Sequence, residues 1–241
     1  MDAKLVTDWQ PPTVLGVDGC RGGWLGIVWD GSTTTAVFHA TLKELIDDET
    51  AREAVVIGVD MPMGLPDEGA RRADRMAQRE LGRRASSIFV TPTRSALAML
   101  TQSQASAVNK ECGGPGVSIQ AFNLRPKVLE VDEIARASVG HGGRRLVEVH
   151  PELSFHIMNN GSLSHSKRTP PGHAERRALL GEAGFEVDPA SIVVPGRIAI
   201  DDVLDAAAAA WSAWRVESGS ARSLPDPPEV NSDGIPAAIW V

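Results

Sequence analysis

Residues 14–29, Val14-Leu15-Gly16-Val17-Asp18-Gly19-Cys20-Arg21-Gly22-Gly23-Trp24-Leu25-Gly26-Ile27-Val28-Trp29, read as a buried strand ending in a carboxylate, a glycine-rich turn, and a second strand running back beside the first. The apolar run before Asp18 suits a central strand covered on both faces. Gly19, Gly22 and Gly23 permit a tight reversal and let another group approach the backbone closely. A carboxylate at the tip of a central strand needs a cation, a donor or water, because an unpaired buried charge is costly. Asp18 must therefore meet a partner, and the other charged residues can be judged by whether they could reach it.

The next buried run, Ala54-Val55-Val56-Ile57-Gly58-Val59, also ends in an aspartate, Asp60, and leaves through Met61-Pro62-Met63-Gly64-Leu65-Pro66. The two prolines there stop regular structure. Strands are expected over residues 13–18, 23–30 and 33–39, after a loose lead-in over 1–11, with Asp30-Gly31 as a hairpin turn. Thr41 is placed to cap a short helix over 42–49. Beyond Asp60 the pattern turns helical over 67–84, around 95–108 and within 117–137, the last interrupted at Arg125-Pro126. A core strand over 145–150 leads into Pro151. A basic loop over 167–171 precedes a helix over 172–181, and the last long helix spans 200–216. A Pro-rich link, 224–228, separates it from residues 235–241, which could return as an edge strand.

Three antiparallel strands followed by two strands joined through helices is the ribonuclease H-like order. The expected fold is thus an α/β mixed sheet of that type, flanked by helices. The domain would cover residues 12–219, with a helical insertion at about 67–140 and a C-terminal extension over 220–241. In open sheets of this kind ligands bind at the carboxyl ends of the strands, where Asp18 and Asp60 would sit side by side if their strands are adjacent and parallel.

Of the 241 residues, 24 are basic and 31 acidic, a net charge of −7. That balance counts against coating nucleic acid through the overall field. The charge is nevertheless segregated: residues 70–94 hold seven arginines against Asp74 and Glu80. No apolar run reaches the roughly 18 residues of a membrane helix, and the start lacks a signal-peptide pattern. The two cysteines, Cys20 and Cys112, show neither a disulfide framework nor zinc spacing, so a cytoplasmic location is expected.

Asp202 and Asp205 lie three apart and share a face of the last helix, continued by the small side chains of Ala209 and Ser212. Asp18, Asp60 and one or both of these aspartates could converge. Such an all-oxygen set suits Mg²⁺ or Mn²⁺, and two ions can activate water and stabilise the leaving oxygen of a phosphodiester. Glu148 is the extra carboxylate a second ion would need. Carboxylate oxygens gathered around one point would favour this chemistry. Simpler roles stand beside it: Asp201 or Asp202 could cap the helix, Asp30 and Asp233 suit turns, and His150 could be a general base or a structural histidine. The arginines after Asp60 could be a solvated helix face, or a flap in which Arg83, Arg84 and Arg94, together with Arg21 and Lys167, hold phosphate.

These motifs resemble a known family. Gly16-Val17-Asp18-Gly19-Cys20-Arg21-Gly22-Gly23-Trp24, Asp60-Met61-Pro62-Met63-Gly64-Leu65-Pro66, Leu81-Gly82-Arg83-Arg84-Ala85-Ser86-Ser87-Ile88-Phe89 and Glu148-Val149-His150-Pro151-Glu152-Leu153-Ser154-Phe155 look like the predicted ribonuclease H-like nucleases catalogued as domain of unknown function 429. The likeness runs on through Ser166-Lys167-Arg168-Thr169-Pro170 and Asp202-Val203-Leu204-Asp205-Ala206 to Ile239-Trp240. It implies the fold and an acidic site. Asp202-x-x-Asp205-Ala is also similar to the last helix of RuvC-type junction resolvases, although here the second strand-end carboxylate is an aspartate rather than a glutamate.

The expected function is a metal-dependent phosphodiesterase or nuclease. Asp18, Asp60 and Asp205 would be its core, Asp202 or Glu148 a fourth ligand, and its substrate phosphate-bearing, nucleic acid included. A homodimer is compatible with this reading. Two alternatives are an actin-like or sugar-kinase-like phosphate site, which usually needs two such domains, and a non-catalytic protein that binds an anion or nucleic acid.

Overall fold

The structure, a computed structural model, describes residues 11–139, 143–192 and 198–241. The lead-in expected over residues 1–11 lies outside the described residues except for its last position, as does residue 140, the expected end of the insertion. Strands β1 (Val14–Cys20), β2 (Gly23–Trp29) and β3 (Thr34–His39) form an antiparallel meander. Helix α1 (Leu42–Ile46) opens with a capping box between Thr41 and Glu44, and β4 (Val56–Val59) then runs parallel to β1.

The insertion holds α2 (Arg72–Leu81), a 3₁₀ segment (Gly82–Ser87), α3 (Arg94–Leu97), α4 (Gln102–Glu111), α5 (Ile119–Asn123) and α6 (Arg125–Ser138). The expected break near Arg125-Pro126 falls at Leu124, between α5 and α6. Strand β5 (Arg145–Val149) pairs parallel with β4 and is followed by α7 (Pro151–Met158), α8 (Pro170–Glu182) and α9 (Ile200–Glu217). Two further strands, β6 (Ser223–Val230) and β7 (Pro236–Trp240), complete a mixed sheet in the order β3-β2-β1-β4-β5-β7-β6.

The C-terminal segment departs from expectation twice. Residues 224–228 are not a link but part of β6, and β7 is not an edge, because it lies between β5 and β6. Prolines suit β6 because it is the outer strand, where missing N–H groups break no ladder on the open side. A register shift between Leu224 and Glu229 accommodates the proline-bearing stretch.

Alternation along the central strands assigns their faces. Leu15, Val17, Ile57 and Val59 pack in one core with Leu42 of α1 and Val128 and Val131 of α6. Val14 and Val56 face the opposite core, built around α9. On that face Gly16 and Gly58 are direct neighbours across the β1–β4 ladder. A Cβ on Gly16 would lie 1.9 Å from the Ala210 nitrogen and 2.2 Å from the Ala206 oxygen, and one on Gly58 would lie 2.7 Å from the Ala209 oxygen. The paired glycines and the alanine run 206–210 thus bring the α9 backbone onto the sheet.

Gly16→Ala should therefore lower stability by roughly 1–3 kcal/mol, as overpacking does, because only backbone could yield. Gly181→Ala, where nothing lies within 4 Å, should be neutral or slightly stabilising. Denaturant unfolding compares the two, and a parental midpoint for Gly16→Ala would contradict the close helix–sheet approach.

Candidate functional site

The parallel pairing of β1 and β4 brings two carboxylates to one sheet edge. Asp18 lies near the end of β1, Asp60 directly follows β4, and the Asp60 N–H donates to the Val17 carbonyl at 2.9 Å. The tight seating of α9 brings Asp205, in that helix's second turn, to the same edge. All three line one cavity of about 520 Å³. Its other walls come from the start of the insertion, the β5–α7 junction and the loop before α8.

Burial, then repulsion from Asp60, Asp205 and Asp202, raises the Asp18 carboxyl well above the ordinary carboxylate range. Burial likewise raises Asp60, and Lys167 opposes the rise. Asp205 is also raised by burial and by Asp60, against the pull of Lys167. The Lys167 ammonium donates to Asp205 Oδ2 at 2.6 Å. Burial disfavours its charge, but Asp205, Asp60 and Asp18 outweigh that and raise its pKa. Lys167, assigned from sequence to the substrate, is thus the countercharge of the acidic cluster.

Asp202 has a different setting. It accepts a long hydrogen bond of 3.4 Å from the Ala199 N–H at the start of α9, and it does not line the cavity. Glu148 lines the cavity but takes part in an ion pair. Its two oxygens accept from Arg71 at 2.6 and 2.8 Å, and Oε2 also accepts the Met63 N–H at 2.8 Å. Arg71 in turn donates to Asp74 and to the Met63 carbonyl. This buried network ties β5 to the exit from β4 and to α2, and so stiffens the cavity wall instead of adding a carboxylate to the cluster.

The arginines divide in the same way. Arg84 donates to Glu152 at 2.5 Å and to the Leu163 and His165 carbonyls at 2.8 and 2.9 Å. Fully buried Arg176 holds the other Glu152 oxygen at 2.8 Å. Together they anchor the loop that carries Lys167. Arg94 pairs with Asp132 and Asp233 and does not line the cavity. Arg21, exposed in the β1–β2 turn, does not line it either. Arg83 lines the cavity and is exposed, and so is Arg168 on the loop before α8.

Several residues at the cavity carried little signal in the sequence. Arg168 adjoins Lys167 in a basic loop, which was a usable cue; Phe89, Gln120 and Leu124 offered none specific to a site. His150 is held neutral by burial, against a smaller opposing effect of Asp205, and its buried Nδ1 has no hydrogen-bond partner among the described residues.

A hard divalent cation suits this set in the kind of its donors: three carboxylates, no thiolate, and ionisation opposed by burial. The side chains are not drawn together around a point. Among the described residues, no three carboxylate, imidazole or thiol groups stand as an ion-sharing group. Lys167 holds Asp205 Oδ2 and so competes with an ion for that carboxylate.

A family model described as "Protein of unknown function (DUF429)" matches residues 16–230. No curated protein and no solved structure matches the chain. No helix among the described residues is long and apolar enough to cross a membrane.

Proposed function

For a chain that belongs to the DUF429 family, we propose hydrolysis of a phosphate ester, on a ribonuclease H-like sheet, with a divalent cation as cofactor. The observation that carries this reading is the shared cavity of Asp18, Asp60 and Asp205, bordered by the cations of Arg83, Lys167 and Arg168. The strand order β3-β2-β1-β4-β5 supports the fold reading, with two carboxylates at adjacent parallel strand ends. Cys20 and Cys112 are both free thiols, in keeping with a reducing cytoplasm.

Asp18, Asp60 and Asp205 would hold Mg²⁺ or Mn²⁺, with Asp202 nearby in the same helix. When bound, the ion would polarise a phosphoryl oxygen as a Lewis acid. Arg83 and Arg168 bind and orient the phosphate, Arg83 and Arg168 each offering a planar set of donors. Lys167, released from Asp205, would be free to reach the same anion. The neutral imidazole of His150 lines the same cavity and would be its candidate proton acceptor.

Thermal melts of the parent and Lys167→Met in chelator, Mg²⁺ or Mn²⁺ test this assignment. A ligand that binds only the native state raises the melting temperature, by about 2.7 kcal/mol of stability at a hundred times Kd. The parent should gain stability with metal. Lys167→Met should melt lower than the parent in chelator and gain more from Mn²⁺, since nothing competes for Asp205. No metal response in either protein would defeat the metal-dependent reading. It would favour the second one, a non-catalytic anion-binding protein, which the Lys167–Asp205 pair and the absence of an ion-sharing group among the described residues support.

A further inference from the structure

We infer that the substrate is a small phosphoester of nucleotide size, bearing a planar ring beside its phosphate, rather than a polynucleotide. This rests on the phosphate-ester reading of the same cavity and narrows it to a substrate class.

Charge is the first ground. A protein that holds a nucleic-acid backbone spends several cations on successive phosphates, and its binding falls steeply with salt. Here the arginine-rich segment is largely committed elsewhere. Arg71, Arg84 and Arg94 are bound to internal carboxylates, and Arg72 lies 3.7 Å from Glu229. Arg75 and Arg79 do not line the cavity. Of that segment's arginines only Arg83 lines the cavity without an ion pair among the described residues, joined by Arg168 from the loop before α8. Two such cations on a chain of net charge −7 match one or two phosphates, not a strand of them.

Size and the remaining wall are the second ground. A cavity of about 520 Å³ falls in the range of small-molecule sites. One wall is formed by Phe89 and Leu124, with the exposed Gln120 beside them. Phe89 is half-buried and packs against the cluster of Ala105, Val117 and Ala121, which holds it in place. A phosphate alone has no use for an aromatic wall, whereas a heterocycle stacks on one and offers its edge to an amide. The same cavity is lined by the carboxylates and by His150, whose buried Nδ1 has no hydrogen-bond partner among the described residues. The cavity thus offers an aromatic face and an amide as well as ionic groups, the contacts that a base and a phosphate joined by a sugar would use.

Calorimetric titration of the full chain in Mn²⁺, with adenosine 5′-monophosphate, ribose 5-phosphate and a 20-nucleotide single strand, tests the inference. The mononucleotide should bind about ten-fold or more tightly than ribose 5-phosphate, from stacking. The single strand should bind no more tightly than the mononucleotide. Phe89→Leu, which keeps the packing against Ala105, should erase the mononucleotide's advantage and leave ribose 5-phosphate binding unchanged. Gln120→Ala, at an exposed position, should reduce that advantage without disturbing the fold.

Equal affinity for the two small ligands, or an advantage untouched in both variants, would overturn the assignment of a ring site while leaving the phosphate reading in place. A single strand that binds most tightly, with a steep salt dependence, would overturn it in favour of nucleic acid. If none of the three ligands binds, the phosphate-ester reading fails, and the substrate class with it.

Discussion

Arg71→Met should destabilise the protein by about 3–5 kcal/mol, the effect of removing one partner from a buried ion pair. The Arg71 side chain is 1% exposed, and it is the cation serving both Glu148 and Asp74, themselves 4% and 1% exposed. Methionine fills much of the volume but leaves two buried carboxylates without a countercharge. Asp74 keeps the Thr91 N–H at 2.7 Å and Glu148 keeps the Met63 N–H, so neither is wholly abandoned. Adding Glu148→Gln should recover part of the loss, because coupled neighbours are not additive. Arg75→Ala, at an exposed position on the same helix, should stay within about 0.5 kcal/mol of the parent. Urea unfolding measures all four proteins. An Arg71→Met change as mild as Arg75→Ala would mean that Glu148 is not held in this pair, and would return it to the set of candidate catalytic carboxylates.

Asp18→Asn and Asp205→Asn should each abolish metal-induced stabilisation; metal-free Asp18→Asn should melt at or above the parent, whereas Asp205→Asn also gives up the charge paired with Lys167 at 2.6 Å and should gain less. The cause is the burial of both carboxyls, to which repulsion from Asp60 adds in each. Losing a buried hydrogen-bonded structural group would instead cost about 1–3 kcal/mol. Acid should act in the same direction as the amide. Asp60 and Asp205 are both raised from 3.8 to about 6, so the folded state holds protons that the unfolded chain has released. The resulting stability is fully present below the unfolded value and is lost as pH rises through about 6. In chelator, this cluster favours pH 5 over pH 7.5 by about 1 kcal/mol for each unit of titration crossed.

His150 opposes that trend. Its pKa is lowered by burial, so acidification below the ordinary histidine value favours the unfolded chain. The informative quantity is therefore the parent–variant difference at each pH. Asp18→Asn should flatten the decline between pH 5 and 7.5, and saturating Mn²⁺ should flatten it in the parent. Calorimetric melts and metal titrations across this range read both effects. Parental metal affinity in both asparagine variants would remove the acidic-site mechanism and leave the fold untouched.

Much of this architecture is legible along the chain because it depends on local regularities. An apolar run ending in Asp18 and another ending in Asp60 mark central strands, and alternation assigns their faces. The small side chains of Ala209 and Ser212, on the face shared by Asp202 and Asp205, mark a helix able to lie close to a sheet, and the structure adds Gly16 and Gly58 as the points of approach. Thr41 with Glu44 marks a helix start for the same reason: both partners lie within one turn.

Charge pairing was decided only by the tertiary structure. The seven arginines of residues 70–94 look alike along the chain. Arg71 finds Glu148 77 residues away, Arg84 finds Glu152 68 residues away, and Lys167 finds Asp205 38 residues away. No periodicity carries that information, since an ion pair needs proximity and burial and takes no account of spacing. The proline-bearing β6 follows the same logic: residues that discourage a strand locally are tolerated once the fold makes that strand the outer one. Thus the sequence by itself determined which carboxylates end the central strands and which helix approaches them. The three-dimensional packing decided which cations are consumed within the protein and which, Arg83 and Arg168 among them, are left facing the cavity.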